Sequence, residues 1–169
     1  MIEEFKIGNT IQSVNPPETG FGYNYWSHMI PPVKPKDVLM LGYGEGTVGK
    51  LIKKIWGDDV RIVGVDIHEP KRENAPDEFL RMPADVYLRA AHPYKFDFVA
   101  VDIFEGENIP KFVFSNEFVA HLRSRVIGRL AINIWKKHQE MMDEYRALFH
   151  IERIKVCDEG GNNLVYFML

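Results

Sequence analysis

Five acidic side chains follow the apolar runs of this sequence, at points where a parallel sheet would bring them to one edge. Glu45 lies in a glycine-rich loop after the first run, Asp66 ends the second, and Asp102 ends a later one, with Glu105 just beyond it. Asp85 opens a short helical segment between them. Ligands of open α/β sheets bind outside the carboxyl ends of the strands. A carboxylate there accepts hydrogen bonds, attracts cations or takes a proton. The pattern predicts an acid-lined ligand site.

The glycine-rich loop satisfies three nucleotide-binding patterns at once. In VLMLGYGEGTVGKLIKK (38–54), Gly42, Gly44 and Gly46 form the GxGxG that ends the first strand of S-adenosylmethionine-dependent transferases. Gly44, Gly46 and Gly49 form the GxGxxG of dinucleotide enzymes. The stretch from Gly44 to Lys50 reads GxxxxGK, a phosphate-binding loop that lacks its final Ser or Thr.

Electrostatics distinguishes the three patterns. Glu45 in the loop would repel a pyrophosphate, because two like charges ~4 Å apart at an effective dielectric of about 20 repel by about 4 kcal/mol. Leu51 occupies the place of the hydroxyl that would hold Mg²⁺. S-adenosylmethionine and its decarboxylated form carry no phosphate, and their sulfonium and amino groups are cationic. The loop is therefore predicted to hold an adenosyl sulfonium compound, with Asp66 accepting from the ribose hydroxyls and Asp85 from the adenine amino group.

Alternating apolar runs and amphipathic segments must position these residues. Strands are predicted at 37–42, 61–67, near 81–82, 97–103 and 126–135, and helices at 47–57, 115–125 (with Ser115 as N-cap) and 136–149. Residues 150–169 read as a hairpin around a Gly-Gly turn, and residues 2–14 as another short hairpin. The order predicts a three-layer, Rossmann-like α/β methyltransferase fold: a mostly parallel sheet with an antiparallel C-terminal hairpin. Residues 1–36 are expected to form a lead-in with a hairpin and lid, and residues 37–169 the S-adenosylmethionine-binding domain.

Composition narrows the function classes. The 169 residues carry a net charge of −3, which disfavours a nucleic-acid-binding surface. The single cysteine, Cys157, excludes an internal disulfide and suits a reducing cytoplasm. No apolar run approaches the ~18 residues of a membrane span, and no leader opens the chain. The six histidines lack metal-binding spacing, so no metal is expected. We expect a cytoplasmic protein with a small-molecule substrate.

Several segments together resemble one enzyme family. TIQSVNPPETGFGYNYWSHM is similar to a glutamine-containing strand followed by a Tyr-Gln-Glu-Met segment, and VLMLGYGEG to a GGGDG or GGGEG loop. VGVDI is similar to the acidic end of a second strand, and PADVYL to a Gly-Asp-Ala stretch. FDFVAVDIFEGENIPKFVFSNEFVAHL resembles an Asp-Ser-Ser-Asp-Pro segment followed by a helix start. The segments that they resemble are those of the polyamine aminopropyltransferases, the spermidine and spermine synthases, which have the class I methyltransferase fold.

The resemblance implies roles for particular residues. Asp102 would orient and deprotonate an attacking amine, assisted by Glu105. The lid and acceptor pocket would include Gln12, Tyr23 and Asn24. The implied cosubstrate-binding residues are Gly42, Gly44, Glu45, Gly46, Asp66, Ile67, Asp85, Val86 and Asp102.

The departures from the family concern the acceptor side. Asn24 stands where the family has Gln, and Tyr25 where it has Glu. Ile103-Phe104-Glu105-Gly106 replaces Ser-Ser-Asp-Pro, so that Ile103 and Phe104 either fill the space of a diamine or pack under the adjacent loop.

We therefore expect a transferase that uses S-adenosylmethionine or a close analogue, with methyl transfer favoured. Aminopropyl transfer from decarboxylated S-adenosylmethionine and a non-catalytic adenosyl-binding protein are the alternatives. The short lead-in and exposed aromatic residues are compatible with a homodimer.

Overall fold

A seven-stranded mixed sheet forms the centre of the protein. The computed structural model describes residues 3–7, 10–15, 25–90, 93–157 and 163–169. The elements are β1 (Glu3–Ile7), β2 (Thr10–Asn15), β3 (Asp37–Leu41), α1 (Thr47–Trp56), β4 (Arg61–Asp66), β5 (Glu78–Arg81), α2 (Ala84–Arg89), β6 (Phe96–Val101), α3 (Asn116–Arg125), β7 (Val126–Trp135), α4 (Asp143–Leu148), β8 (Ile151–Val156) and β9 (Asn163–Met168). The strand order is β5-β4-β3-β6-β7-β9-β8. Within this sheet, as far as it is described, β9 runs opposite to the other six strands and pairs antiparallel with β7 and β8. The predicted fold class is confirmed.

Each face of the sheet carries its own hydrophobic layer. On β3, Leu39 and Leu41 point to one side, where α2, α3 and α4 pack. Val38 and Met40 point to the other, where α1 packs. This alternation follows from the two-residue period of a strand, and it explains why β3, β4 and β6 are continuous apolar runs. The central strands are therefore fixed on both faces, and their carboxyl ends form a rigid edge.

The lead-in residues join the layer on the α1 side. Strands β1 and β2 pair antiparallel with each other, as expected for an N-terminal hairpin, and within the described residues they do not join the seven-stranded sheet. The Val14 amide donates to Thr47 Oγ1 (3.0 Å), and that hydroxyl donates back to the Val14 carbonyl (3.3 Å), which ties β2 to the start of α1. A 3-10 turn at Tyr25–Met29 buries Trp26 and Met29 in the same layer. The turn therefore lies directly against the sheet.

The segment after β7 differs from the single helix predicted for 136–149. Residues Lys136–Met141 form a 3-10 helix, and α4 begins only at Asp143. None of the residues in the 3-10 stretch is buried, whereas α4 packs Tyr145 into the core. Burial of an apolar face supplies most of the stability of a short helix, so the unburied half does not hold an α-helical conformation.

No helix among the described residues is long and apolar enough to cross a membrane.

The N-cap of α3 generates a stability prediction. Ser115 Oγ accepts a hydrogen bond from the Phe118 amide (3.2 Å), which satisfies one of the free donors of the first turn. We expect Ser115→Ala to lower the free energy of unfolding by about 1 kcal/mol in urea denaturation. Ser124, near the other end of α3, is exposed, and its hydroxyl donates to the His121 carbonyl (2.6 Å). Ser124→Ala is the control and should change stability by less than ~0.5 kcal/mol. Equal losses in the two variants would contradict the capping role.

Candidate active site

A cavity of about 330 Å³ opens at the carboxyl edge of the sheet. This volume is within the range of small-molecule sites, about 300 to 1,000 Å³. It lies beyond the ends of β3, β4 and β6, where ligands of this sheet type bind. The residues that line it are Gly42, Val65, Asp66, Ile67, His68, Met82, Pro83, Ala84, Asp102, Ile103, Phe104, Glu105 and Phe112.

The glycine-rich loop allows two strand ends to meet at this cavity. Gly42, Gly44 and Gly46 have φ of 83°, 55° and 77°, in the left-handed region that favours glycine. A Cβ atom on Gly42 would lie 2.1 Å from the backbone oxygen of Asp102. The absence of a side chain at residue 42 therefore lets the ends of β3 and β6 approach, and it brings Asp102 beside the loop.

Asp66 organises the loop and lines the cavity. Its Oδ2 accepts from the Gly44 amide (2.8 Å), and its Oδ1 accepts from the His68 amide (2.9 Å). A carboxylate has about four lone-pair sites, so two acceptor positions remain for a ligand. The residue was predicted at this edge because it ends the second apolar run.

Asp102 is an acid at the cavity whose pKa lies well above its ordinary value. Its Oδ1 accepts from Asn133 Nδ2 (2.9 Å), and its Oδ2 accepts from the Tyr25 hydroxyl (2.9 Å). Burial raises the pKa of the Asp102 carboxyl, the two hydrogen bonds partly oppose the rise, and the nearby charge of Asp66 adds to it, which leaves the pKa at about 6. Burial, together with the charge of Asp102, also raises the pKa of Tyr25 well above its usual value, so the hydroxyl remains a donor.

Two asparagines outside the predicted set of site residues belong to the same network. Asn133 is 1% exposed and Asn163 is 5% exposed, and Asn163 Nδ2 donates to Asn133 Oδ1 (3.0 Å). A signal was present in the sequence, since Asn133 interrupts the apolar strand VIGRLAINIW. Buried amides are almost always hydrogen-bonded, so an asparagine inside such a strand indicates a polar partner.

Two acidic residues predicted to bind the cosubstrate, Glu45 and Asp85, instead contact other side chains of the protein. Glu45 Oε2 accepts from Asn74 Nδ2 (2.6 Å) and from the Lys71 amide (3.1 Å), and Glu45 is not among the residues that line the cavity. Asp85 forms an ion pair with Arg89 one turn along α2 (2.9 Å). Neither Asp85 nor Val86 lines the cavity; the residues just before them do. Side chains four apart on a helix are neighbours, which accounts for the direction of Asp85.

The segment after Asp102 forms one wall of the cavity. Ile103 and Phe104 line it and also pack against the sheet core, with Phe104 edge-on to Trp135 at 5.6 Å between ring centroids. Glu105 lies at the rim, exposed, in a tight turn whose backbone it closes with Asn108 (2.7 and 3.1 Å). The two bulky residues therefore serve both the wall and the core.

The structure gives little information on the three residues predicted for the acceptor pocket. Tyr23 and Asn24 lie outside the described residues. Gln12 falls within β2, for which only the backbone is described at this position. Within the described ranges, no three His, Cys, Asp or Glu side chains are grouped to hold a metal ion.

Comparison with known proteins identifies the fold. Models of protein families give no match. A polyamine aminopropyltransferase of Vibrio vulnificus (strain CMCP6) is 28% identical over 153 residues, which cover 80% of this chain and 51% of that protein. The chain thus spans about half the length of this curated relative, and the expected similarity to the aminopropyltransferases is confirmed.

Solved structures agree on the architecture. Spermidine synthase from Thermotoga maritima superposes with a TM-score of 0.65 at 16% identity, covering 85% of this chain and 58% of that one. The 1,6-didemethyltoxoflavin-N1-methyltransferase of Burkholderia thailandensis, solved with S-adenosylhomocysteine, gives a TM-score of 0.60 at 16% identity, covering 90% and 76%. The chain has the class I methyltransferase fold.

The contact between Gly42 and Asp102 generates a prediction with an internal control. We expect Gly42→Ala to lower the free energy of unfolding by about 3 to 5 kcal/mol, because left-handed strain of about 1–2 kcal/mol adds to the clash with the Asp102 backbone. Gly106 also has positive φ, 60°, but a Cβ there meets nothing within 4 Å. Gly106→Ala should therefore cost only the strain. Chemical denaturation of both variants tests this, and equal losses would show that the close approach at residue 42 is unimportant.

Proposed function

We propose that this protein is a transferase that binds S-adenosylmethionine or a close analogue in the cavity and transfers a group from its sulfonium centre. The observation that carries the proposal is Asp102, a largely buried acid with a raised pKa, held beside a glycine-rich loop at the cavity. Perturbed acids in clefts are candidates for proton transfer.

The lining of the cavity suits an adenosyl sulfonium compound. Asp66 has acceptor positions left for the two ribose hydroxyls. Gly42 lines the cavity without a side chain, so a ligand can approach the backbone of the loop there. Ile67 and Met82 supply apolar surface for an adenine ring. Asp66 and Asp102 place two negative charges near a cationic sulfur, and both stand on rigid strand ends.

The chemistry of such a compound is displacement at a carbon bonded to the positive sulfur. An amine nitrogen donates its lone pair to that carbon, the carbon–sulfur bond breaks, and its electron pair neutralises the sulfur. The new ammonium group then gives a proton to Asp102. With a pKa near 6, the Asp102 carboxyl is largely ionised at pH 7 and able to accept it. Holding the amine in line with the breaking bond supplies much of the remaining rate.

Methyl transfer is the form of the reaction that we favour. The bulky apolar side chains of Ile103 and Phe104 line the cavity at the place of the family's Ser-Ser-Asp-Pro segment. These features supply few groups for a long diamine. The similarity to a polyamine aminopropyltransferase supports aminopropyl transfer as the second candidate. The proposal includes a small-molecule acceptor, a cytoplasmic location and a homodimer, whose mass analytical ultracentrifugation would measure.

Calorimetry with four ligands tests the proposal. We expect binding of S-adenosylmethionine and S-adenosylhomocysteine, with weaker binding of decarboxylated S-adenosylmethionine and methylthioadenosine. The reverse preference would favour aminopropyl transfer, because that reaction consumes decarboxylated S-adenosylmethionine and releases methylthioadenosine. Absence of binding for all four compounds would remove both enzymatic functions.

The role of Asp102 is tested by turnover. Asp102→Asn should lower kcat at least about 100-fold, the usual contribution of a proton-accepting group, as measured by release of the neutral thioether with a panel of small amines. Affinity for S-adenosylhomocysteine should stay within about threefold of wild type, since that ligand carries no sulfonium charge. Glu107→Gln, at an exposed position on the same segment, is the control and should retain turnover. A fully active Asp102→Asn variant would show that another group accepts the proton.

Asp102 also makes stability depend on pH. Its pKa is about 6 in the folded protein and about 3.9 in an unfolded chain, so the folded state binds more protons between these values. Its favourable contribution is complete below pH ~4 and is lost as pH rises through about 6. We therefore expect the stability of Asp102→Asn relative to wild type to increase by about 2 kcal/mol from pH 4 to pH 7, measured by urea denaturation. Parallel curves for the two proteins would contradict the raised pKa.

A further inference from the structure

A pair of buried side-chain amides connects the last strands of the sheet to Asp102. Asn133 on β7 lies opposite Val165 on β9, and Asn163 lies two residues away along β9, opposite Trp135. The neighbours Ala131 and Val165 belong to the apolar layer that also contains Trp26. Burying an amide in such a layer without hydrogen bonds costs free energy, so the presence of two of them requires an explanation.

The directions of the two hydrogen bonds supply one. Asn163 Nδ2 donates to Asn133 Oδ1 (3.0 Å), which engages the carbonyl end of the Asn133 amide. The amino end of Asn133 therefore faces Asp102 and donates to Oδ1 (2.9 Å). A reversed Asn133 would present its carbonyl oxygen, which repels a carboxylate and accepts a bond from a protonated carboxyl. The direction of this one amide decides which form of Asp102 is stabilised.

The other groups that face Asp102 do not make the same selection. Tyr25, from the 3-10 turn, donates to Oδ2 (2.9 Å), but a hydroxyl both donates and accepts and adapts to either form by rotation. Asp66, from the end of β4, acts through its charge and favours the protonated form. Asn133 is thus the group whose donor is fixed in direction, and Asn163 is the group that fixes it.

We propose that Asn133 and Asn163 are positioning residues that keep Asp102 ionised and oriented for proton transfer, with Asn163 acting through Asn133. The functional meaning of this arrangement rests on the proposed transferase reaction. We call the chain of hydrogen bonds from Asn163 through Asn133 to Asp102 the amide relay. It is a property of the ligand-free protein and can be measured without any cosubstrate.

The experiment follows the titration of Asp102 by carbon NMR of its side-chain carboxyl in the full, ligand-free chain. Wild type should titrate near pH 6. Asn163→Leu keeps the approximate volume but removes the donor, and it should raise the proton affinity of Asp102 about tenfold, or about one pH unit. Asn74→Leu is the matched control: Asn74 is also buried, but it bonds to Glu45 and Lys50 and not to Asp102. This control should titrate as wild type does.

Two outcomes would overturn the proposal. One is an unchanged Asp102 titration in Asn163→Leu. The other is an equal shift in Asn74→Leu, which would indicate a general loosening of the fold. Should Asn163→Leu not fold, the wild-type protein still decides: the side-chain nitrogen of Asn133 must change its chemical shift with the same midpoint as the Asp102 carboxyl. An Asn133 signal that does not respond overturns the proposal.

A failure of the relay is distinguishable from a failure of the proposed function. Calorimetry with adenosyl compounds tests the function and is independent of the titration. Where turnover is measured, the acidic limb of the kcat/KM profile of Asn163→Leu should move up by about one pH unit, while affinity for S-adenosylhomocysteine at pH 8 stays at the wild-type level. A purely structural role would lower affinity as well and leave the limb in place.

Discussion

The rest of this site depends on the poor solvation of one carboxylate, that of Asp102. It lies where the end of β6 packs against the backbone at the end of β3. Asp102 loses much of its hydration, and two neutral donors, Tyr25 and Asn133, replace only part of it. The remaining cost appears as a pKa near 6. The position exists only because Gly42 has no side chain. The burial that makes the ionised Asp102 unfavourable for folding also gives it a proton affinity suited to reactions near neutral pH.

Three separate parts of the chain meet around this acid. The turn at Tyr25–Met29 covers one side, the glycine-rich loop the next, and strands β7 and β9 the third. Each part is held by its own packing: Trp26 in the α1 layer, the loop by Asp66, and the asparagines by strand pairing. The acid is thus oriented by the framework of the domain and not by flexible surface groups.

The fold and part of the site followed from the sequence because they depend on local patterns. Long apolar runs identified the strands, and a strand that ends in Asp66 or Asp102 must place that residue at the carboxyl edge. The directions of Glu45 and Asp85 did not follow, since they depend on partners, Asn74 and Arg89, that periodicity does not reveal. Asn133 and Asn163 were missed because their meaning arises from a contact between residues 30 positions apart.

The arrangement of the C-terminal strands has a consequence for how the protein ages and is degraded. Strand β8 is the outermost strand at its side of the sheet, and most of its residues are exposed, whereas every residue of β9 is buried beside it. The buried strand β9 carries Asn163, and β8 covers one of its edges. Fraying or cleavage of β8 would therefore uncover β9 and alter the environment of the acid, while β3, β4 and β6 keep their own pairing.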